Sequence, residues 1–130
     1  KKHTIPEKTE KTLLEKLARF ENSGKFTNNS ISLNGLAKQL DTNTKYLSEV
    51  INTHKNGNFN TYINELRIKY ILKTLQTAPV YLNYKVSYLA EEAGFSSHSL
   101  FATVFKTVTG ISPTTYIGFL KKETENRQNA

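Results

Sequence analysis

Residues 60–76, NTYINELRIKYILKTLQ, carry two apolar stripes when they are arranged as a helix at about 100° per residue. The stripes lie on roughly opposite faces, and the second is displaced toward the C-terminal end of the segment. They consist of Tyr62, Ile63, Leu66 and Tyr70 on one face, and of Ile68, Ile71, Leu72 and Leu75 on the other. An ordinary surface helix buries only one face. The pattern therefore predicts a helix about 25 Å long that connects two small packing units, with a fully buried core helix as the alternative.

The composition limits the classes of protein to which this chain can belong. Its 130 residues, 37% of them hydrophobic, suffice for one domain or for two very small subdomains that share a helix. The chain has no cysteine, which excludes a disulfide framework, a thiol nucleophile and a cysteine-based zinc site. His3, His54 and His98 lack the spacing of metal ligands, and no apolar run reaches the length of a membrane span. We expect a cytoplasmic protein without a metal or cofactor and, because Lys1 stands where an initiator methionine would, a fragment of a longer protein.

Lysine and arginine outnumber aspartate and glutamate by 18 to 11, which gives a formal net charge of +7. Such an excess favours polyanionic partners, nucleic acid first and an anionic membrane second. The positive charge is spread without a block of one sign, so a disordered basic arm is not indicated. Enzyme activity is not expected, because there is no glycine-rich phosphate loop, no histidine cluster and no carboxylate pair at a plausible spacing.

Pattern and composition divide the chain into five segments. Residues 7–22 predict an amphipathic helix with Leu13, Leu14, Leu17 and Phe20 on its apolar side, and SGKFTNNS at 23–30 predicts a loop. The polar tail is expected to fray. The predicted segments are an N-terminal helix and loop at 1–30, a first helix-turn-helix unit at 31–59, the connecting helix at 60–77, a second helix-turn-helix unit at 78–120 and the tail at 121–130.

A helix-turn-helix pattern occurs twice. In the first copy an apolar stripe is followed by the break DTN at 41–43, where Asn43 is a suitable N-cap, and by a second, sparser stripe. In the second copy Gly94 supplies the residue best able to adopt a left-handed turn. The stripe of Leu33, Leu36, Ala37 and Leu40 recurs 53 residues later as Val86, Leu89, Ala90 and Ala93. After the turn the offset is 54 residues, and Leu47, Val50 and Ile51 match Phe101, Val104 and Phe105. At the same offset, residues 61–63 match residues 115–117. So many matching positions indicate a duplicated helix-turn-helix.

These residues resemble the C-terminal DNA-binding domain of the AraC/XylS family of bacterial transcription regulators. The matching positions are LAEEAGFS at 89–96, Phe101, Phe105-Lys106, GISP at 110–113 and Tyr116, together with Tyr62-Ile63 and Leu66-Arg67-Ile68 in the connecting helix. The resemblance covers about residues 32–119. The long first helix and the long connection at 77–85 resemble the variant found in Bacteroidetes-type regulators, which implies an N-terminal sensor domain outside this chain.

The resemblance implies an all-α fold in which two helix-turn-helix subdomains are joined by a long connecting helix, with an extra N-terminal helix. It also implies sequence-specific binding of double-stranded DNA for transcription control, with two recognition helices in successive major grooves. The estimated helix length of about 25 Å is short of the roughly 34 Å between successive groove openings. Either the DNA bends or one unit engages loosely. RNA polymerase is a further candidate partner, and no membrane contact is expected of this domain.

The first recognition helix has four residues outside its apolar stripe: Thr44, Lys45, Ser48 and Glu49. Family matching places base contacts at the last three. Lys45 can donate to guanine O6 or N7, and Ser48 can bond to several bases. Glu49 departs from the family, which often has arginine there; it either accepts from cytosine N4 or is an exposed residue that pairs with a lysine.

In the second recognition helix the equivalent positions are Ser97, His98, Ser99, Ala102 and Thr103. His98 can donate to guanine or to a phosphate, and Ala102 can contact a thymine methyl group. This set is small and weakly polar where many relatives carry glutamine and arginine, so modest specificity is expected from this half.

Phosphate contacts are expected to carry most of the affinity. The candidates are Lys38, Lys55, Asn58, Lys106, Ser112 and Thr114. Arg67 is expected to be structural, in an ion pair with Glu65 or Asp41. Tyr81 and Tyr84 are expected to pack over the second unit and not to stack on bases. A basic module that binds an acidic protein or a membrane, without sequence-specific DNA binding, is the alternative function.

Overall fold

A computed structural model describes residues 5–129; residues 1–4, His3 among them, and residue 130 lie outside this range. The described chain is helical throughout and has no strand, which confirms the predicted all-α class. Its α-helices are α1 (Glu7–Ser23), α2 (Leu33–Gln39), α3 (Thr44–His54), α4 (Phe59–Thr77), α5 (Val86–Ala93), α6 (His98–Thr109) and α7 (Pro113–Gln128). Two short 3-10 helices, Lys25–Thr27 after α1 and Pro79–Asn83 after α4, complete the order.

The chain divides into two compact units, Lys1–Ile63 (unit 1) and Asn64–Ala130 (unit 2), and the division falls inside α4. This helix is continuous over its 19 residues. Its first turns supply the buried side chains of Tyr62 and Ile63 to unit 1, and its later turns supply Ile68, Ile71 and Leu75 to the core of unit 2. One assignment to the first stripe is wrong, because Tyr70 packs against the core of unit 2.

In unit 1, α1 buries the predicted side of its amphipathic pattern. Leu13, Leu17 and Phe20 are its buried residues. The stretch predicted as a loop at 23–30 is more ordered than expected, because its 3-10 helix buries Phe26. The ring of Phe26 meets that of Phe20 edge to face, with 6.3 Å between the centroids. Such an aromatic pair adds about 0.5–1.5 kcal/mol beyond the area that it buries, which accounts for the order of this segment.

The turn of the first helix-turn-helix is closed by backbone hydrogen bonds. After α2 the chain passes through Asp41, whose φ of 56° is left-handed, and the Thr42 N–H donates to the Ala37 carbonyl at 2.9 Å. This six-to-one bond is the Schellman arrangement that satisfies a free carbonyl at a helix end. Asn43 then caps α3, its Oδ1 accepting from the Tyr46 N–H at 2.8 Å, so the predicted N-cap is confirmed.

The second helix-turn-helix repeats this arrangement. Gly94 has a φ of 97°, and the Phe95 N–H donates to the Ala90 carbonyl at 3.0 Å. Ser97 caps α6 by accepting from the Leu100 N–H at 3.1 Å. The equivalent bonds lie 53 residues apart before the turn and 54 residues apart after it. The repeat read from side-chain type is therefore also a repeat of backbone geometry.

The sequence repeat already pairs the starts of α4 and α7, and the structure extends it to the ends of α1 and α4, which sequence comparison did not pair. In unit 1 the Tyr62 hydroxyl at the start of α4 donates to the Glu21 carboxylate near the end of α1, at 2.7 Å. In unit 2 the Tyr116 hydroxyl at the start of α7 accepts from Gln76 Nε2 near the end of α4, also at 2.7 Å. Burial first, and then the hydrogen bond to Glu21, raises the pKa of Tyr62, which stays a donor at neutral pH. Each unit thus joins the end of its first long helix to the start of its last.

The core of unit 2 is a row of aromatic rings. Phe95, Phe101, Phe105 and Tyr116 contact one another in sequence, with centroid distances of 5.4, 5.7 and 5.6 Å. Arg67 is the buried charged residue of the described chain, 7% exposed, and its guanidinium lies 5.6 Å from the Phe95 ring centroid. Burial lowers the pKa of Arg67. The structural role expected of this residue fits its position, and an ion pair with Glu65 or Asp41 stays a prediction.

The expectation that the tail frays is wrong for residues 121–128, because α7 continues to Gln128. Lysine, glutamate, arginine and glutamine dominate this stretch, and all are good helix formers. Leu120 packs against the core of unit 2, and the Thr124 hydroxyl donates to the Leu120 carbonyl at 2.9 Å. None of the helices in the described range is long and apolar enough to cross a membrane.

The left-handed residue in each turn gives a test of the repeat. Gly94→Ala should lower the free energy of unfolding by about 1–2 kcal/mol, because an alanine must then adopt the left-handed conformation. Asp41→Gly should cause no loss, because glycine adopts the φ of 56° without strain. Urea unfolding of both variants measures the difference. An equal loss of stability at the two positions would contradict the assignment of equivalent turns.

Candidate nucleic-acid interface

The polar residues predicted on the first recognition helix lie on the exposed side of α3. Its other side is fixed by the fully buried residues Leu47, Val50 and Ile51. Lys45 is exposed and Ser48 is half-buried. At about 100° per residue, all four candidates fall on one arc of the helix: Thr44, Lys45, Ser48 and Glu49. The structure therefore brings together on one face the side chains that the sequence singled out.

On α6 the predicted residues also share one arc of the helix, next to the arc that holds the buried rings of Phe101 and Phe105. His98 and Ser99 in the first turn are exposed, as is Thr103 one turn later, and Ala102 is half-buried; Ser97 precedes them as the N-cap. Lys106, predicted to contact phosphate, is exposed one turn beyond the base-contact candidates on this face. One cation thus borders a surface of small side chains.

Two predicted phosphate contacts prove to be equivalent helix caps. Asn58 Oδ1 accepts from the Thr61 N–H at 3.0 Å at the start of α4, and Ser112 Oγ accepts from the Thr115 N–H at 3.2 Å at the start of α7. The Ser112 hydroxyl also donates to Thr115 Oγ1 at 2.9 Å. Both side chains therefore stabilise the helix start of their unit, whatever else they contact.

The remaining phosphate candidates differ in how far their charge is engaged within the protein. Lys38 on α2 and Thr114 in the first turn of α7 are exposed. Lys55, at the end of α3, pairs with Glu21 at 3.0 Å and lies 5.8 Å from the centroid of the Tyr62 ring. These contacts tie Lys55 to the interior of unit 1 and weaken its candidacy as a free cation for DNA.

Sequence reasoning missed two large side chains beside the reading faces, which are the sides of α3 and α6 that carry the predicted base contacts. Leu100 on α6 is 38% exposed, although it is apolar. Its equivalent in the repeat is Tyr46 on α3, which is half-buried. The repeat offers the signal that would have found them, because the two residues lie 54 positions apart in matching turns. An exposed apolar side chain next to a reading face can contact a thymine methyl group.

Comparison with known proteins adds independent findings. A family model described as a helix-turn-helix domain matches residues 36–118, more than half of the chain. The TCP pilus virulence regulatory protein of Vibrio cholerae is 30% identical over 82 residues, which are 63% of this chain and 28% of the relative. The chain thus spans less than a third of the length of that curated relative.

Solved structures are similar over most of the chain. ToxT from Vibrio cholerae has a TM-score of 0.67 at 27% identity, with 83% of this chain and 38% of that chain covered. The C-terminal domain of AraT, a response regulator from Geobacillus stearothermophilus, has a TM-score of 0.67 at 20% identity, with 83% and 84% covered. A regulator with an AraC-type DNA-binding domain from Chromobacterium violaceum has a TM-score of 0.68 at 16% identity, with 88% and 96% covered. The last two show a shared fold.

Substitutions of Ser112, the cap of α7, can distinguish a role in folding from a role in DNA binding. Ser112→Ala should lower the free energy of unfolding by about 1 kcal/mol through loss of the cap. Ser112→Asp should keep most of that stability, because aspartate caps as well as serine. If Ser112 also faces phosphate, the aspartate should weaken DNA binding on every duplex. Urea unfolding and fluorescence anisotropy with labelled DNA measure the two effects; unchanged affinity for Ser112→Asp would remove Ser112 from the phosphate contacts.

Proposed function

This chain belongs to the AraC-type helix-turn-helix family of transcription regulators, and from that premise we propose that it reads DNA with two recognition helices, α3 and α6, in successive major grooves of one duplex. The family's domain binds double-stranded DNA sequence-specifically to regulate transcription. The observation that carries the proposal is that one chain builds the same helix-turn-helix twice, with equivalent turn and cap hydrogen bonds. A single chain therefore supplies the two reading helices that many helix-turn-helix proteins obtain by dimerisation.

The length of α4 supports a bent complex. Its 19 residues make it about 28 Å long, at 1.5 Å per residue. Successive major-groove openings on one side of a duplex are about 34 Å apart. We propose that the DNA bends to let both helices engage, at a cost that depends on the sequence between the two sites. Loose engagement of one unit is the alternative.

Unit 1 supplies the more discriminating contacts in this proposal. Lys45 is exposed on α3 and donates to O6 and N7 of a guanine. Ser48 and Thr44 add hydrogen bonds that tolerate several bases. Glu49 accepts from a cytosine amino group, and its charge selects against a phosphate at the same place.

Unit 2 reads DNA with smaller side chains. His98 stands in the first turn of α6, where it donates to a guanine or to a phosphate, and Ala102 contacts a thymine methyl group. Ser99 and Thr103 add weak polar contacts, and Ser97 keeps its capping role. We therefore propose that unit 2 discriminates less between bases than unit 1.

Phosphate contacts supply affinity that does not depend on sequence. Lys106 and Lys38 are the exposed cations among the candidates, and Thr114 is exposed near the start of α7. Lys55, Asn58 and Ser112 contribute to the extent that their internal bonds allow. Neutralisation of phosphates releases counterions, so binding should weaken steeply with salt.

The functions of the intact protein go beyond this domain. We propose that it acts in the bacterial cytoplasm, that an N-terminal sensor domain controls it and that RNA polymerase is its partner in transcription. The support is the family membership together with the short span of the curated relative that this chain covers.

The base contacts are tested on a duplex selected from a random pool with the wild-type chain. Lys45→Ala and His98→Ala should each weaken binding to the selected duplex by about 1–3 kcal/mol and relax specificity at one position. Lys11→Ala, which removes an exposed cation from α1, is the matched control and should change little. Anisotropy titrations at fixed salt give the affinities. Failure of the pool to yield any preferred duplex would leave the basic interaction module as the better reading.

The phosphate contact of Lys106 has a different signature. Lys106→Ala should weaken binding to the selected and to a scrambled duplex by a similar factor, because a phosphate contact carries no base information. The slope of log K against log salt should fall by about 1. A loss confined to the selected duplex would instead make Lys106 a base contact.

A further inference from the structure

The duplication allows the same surface to be compared in both units. In unit 1 it runs from the end of α1 through the 3-10 helix Lys25–Thr27 to α2, and in unit 2 from the end of α4 through the 3-10 helix Pro79–Asn83 to α5. One backbone hydrogen bond ahead of α2 has a counterpart ahead of α5, because the Ile31 N–H donates to the Asn28 carbonyl and the Tyr84 N–H donates to the Tyr81 carbonyl, both at 3.2 Å. The 3-10 helices themselves differ, with three residues in unit 1 and five in unit 2. The side chains at the equivalent positions differ as well.

In unit 2 this surface carries tyrosines gathered around one carboxylate. Tyr84 meets Tyr81 and Tyr88 edge to face, each at 5.0 Å between centroids. The Tyr70 hydroxyl donates to Glu92 Oε2 at 3.4 Å. The charge of Glu92 is also the main cause that raises the pKa of Tyr81 and of Tyr88. The cluster thus places bulky aromatic side chains along this surface of unit 2, with Tyr84 and Tyr88 exposed.

In unit 1 the equivalent positions leave an open cleft. Tyr81, Tyr84, Tyr88 and Glu92 correspond, 53 residues earlier, to Asn28, Ile31, Gly35 and Gln39. All four of these smaller or uncharged residues line a cavity of about 390 Å³. Its other lining residues include Lys25, Ser30 and Ser32. The cavity therefore lies where unit 1 has small or uncharged residues and where unit 2 has three tyrosines and a glutamate at the equivalent positions.

The groove continues into a second concavity that carries positive charge. Lys25 and Gln39 border both spaces, and the second, of about 410 Å³, is also lined by Lys16 and Arg19. The Lys16 ammonium donates to the Leu40 carbonyl at 2.8 Å, which fixes its position. Across residues 5–129, neither Arg19 nor Lys25 forms an ion pair, and no carboxylate lines either space.

We propose that this groove of unit 1 is a phosphate-binding site, with Arg19, Lys25 and Lys16 as its cations. Unpaired cations that line an open, carboxylate-free groove attract anions, and a guanidinium binds phosphate oxygens with two parallel hydrogen bonds. The phosphate belongs either to DNA that flanks the segment read by α3 or to a free phosphorylated metabolite. The chemistry is the same for both, and the DNA source alone rests on the proposed function.

The first experiment uses the whole chain and inorganic phosphate as the probe. Amide NMR shifts should change on titration for residues that border the groove, and the dissociation constant should rise at least tenfold in the double variant Arg19→Ala/Lys25→Ala. Lys73→Ala is the control, because Lys73 is an exposed cation on α4 that does not border the groove, and this variant should bind phosphate as the wild type does. Arg19 and Lys25 are exposed, so the double variant should unfold at the same temperature as the wild type.

A second variant tests the groove without removing a charge. Asn28→Tyr/Ile31→Tyr imports two side chains of unit 2 and should close the groove, which would abolish the phosphate-dependent shifts while the net charge stays unchanged. Shifts that persist in this variant, or that survive in Arg19→Ala/Lys25→Ala, would overturn the proposal of a phosphate site.

The source of the phosphate is decided with two selected duplexes, one minimal and one longer by a helical turn on each side. A DNA source predicts that the double variant loses at least tenfold in affinity on the long duplex only, with a salt slope smaller by about 2. Equal affinities of variant and wild type on both duplexes, with phosphate shifts present, would support the free metabolite. Lys45→Ala on the minimal duplex separates this result from a failure of the proposed function, since it does not touch the groove.

Discussion

The reversal of the chain between two short helices is the constraint on which both units depend. In each unit, one residue in the left-handed conformation and one backbone hydrogen bond across the turn fix the second helix against the first. These are Asp41 and the Thr42–Ala37 bond in unit 1, and Gly94 and the Phe95–Ala90 bond in unit 2. A capping side chain then starts the next helix, Asn43 for α3 and Ser97 for α6. The direction of the reading face follows from this small set of bonds, because the buried side chains on the opposite face leave the helix no freedom to rotate.

The two units share the backbone bonds of this turn, but the side chains around it differ. The shared bonds between Tyr62 and Glu21 and between Tyr116 and Gln76 hold the ends of each unit together. The surfaces differ: α3 presents a lysine and a glutamate and unit 1 keeps an open, cationic groove, whereas α6 presents small residues and unit 2 carries tyrosines at the equivalent positions. In the function proposed here, this shared backbone with different surfaces lets one chain recognise two unlike half-sites.

Local pattern predicted the helices, the repeat and the cap of α3, because these depend on side-chain periodicity and on turn chemistry that neighbouring residues determine. The pairing of Tyr62 with Glu21 depends on a contact between distant parts of the chain, which periodicity does not reveal. The pairing of Phe26 with Phe20 spans the turn after α1, where the helical period no longer applies. The tail was misjudged from its polarity, although its residues favour a helix once Leu120 is anchored. The groove emerges only when the two units are compared side chain by side chain.

The central claim is that both copies on one continuous α4 read the same duplex. The most direct test measures affinity for duplexes in which the two selected half-sites stand at their native distance, five base pairs farther apart, or ten base pairs farther apart. The account predicts a loss of at least tenfold when five base pairs turn one half-site to the other side of the helix, with some recovery at ten if the DNA can bend or loop. Equal affinity for all three duplexes would contradict it, because the units would then bind independently of one another.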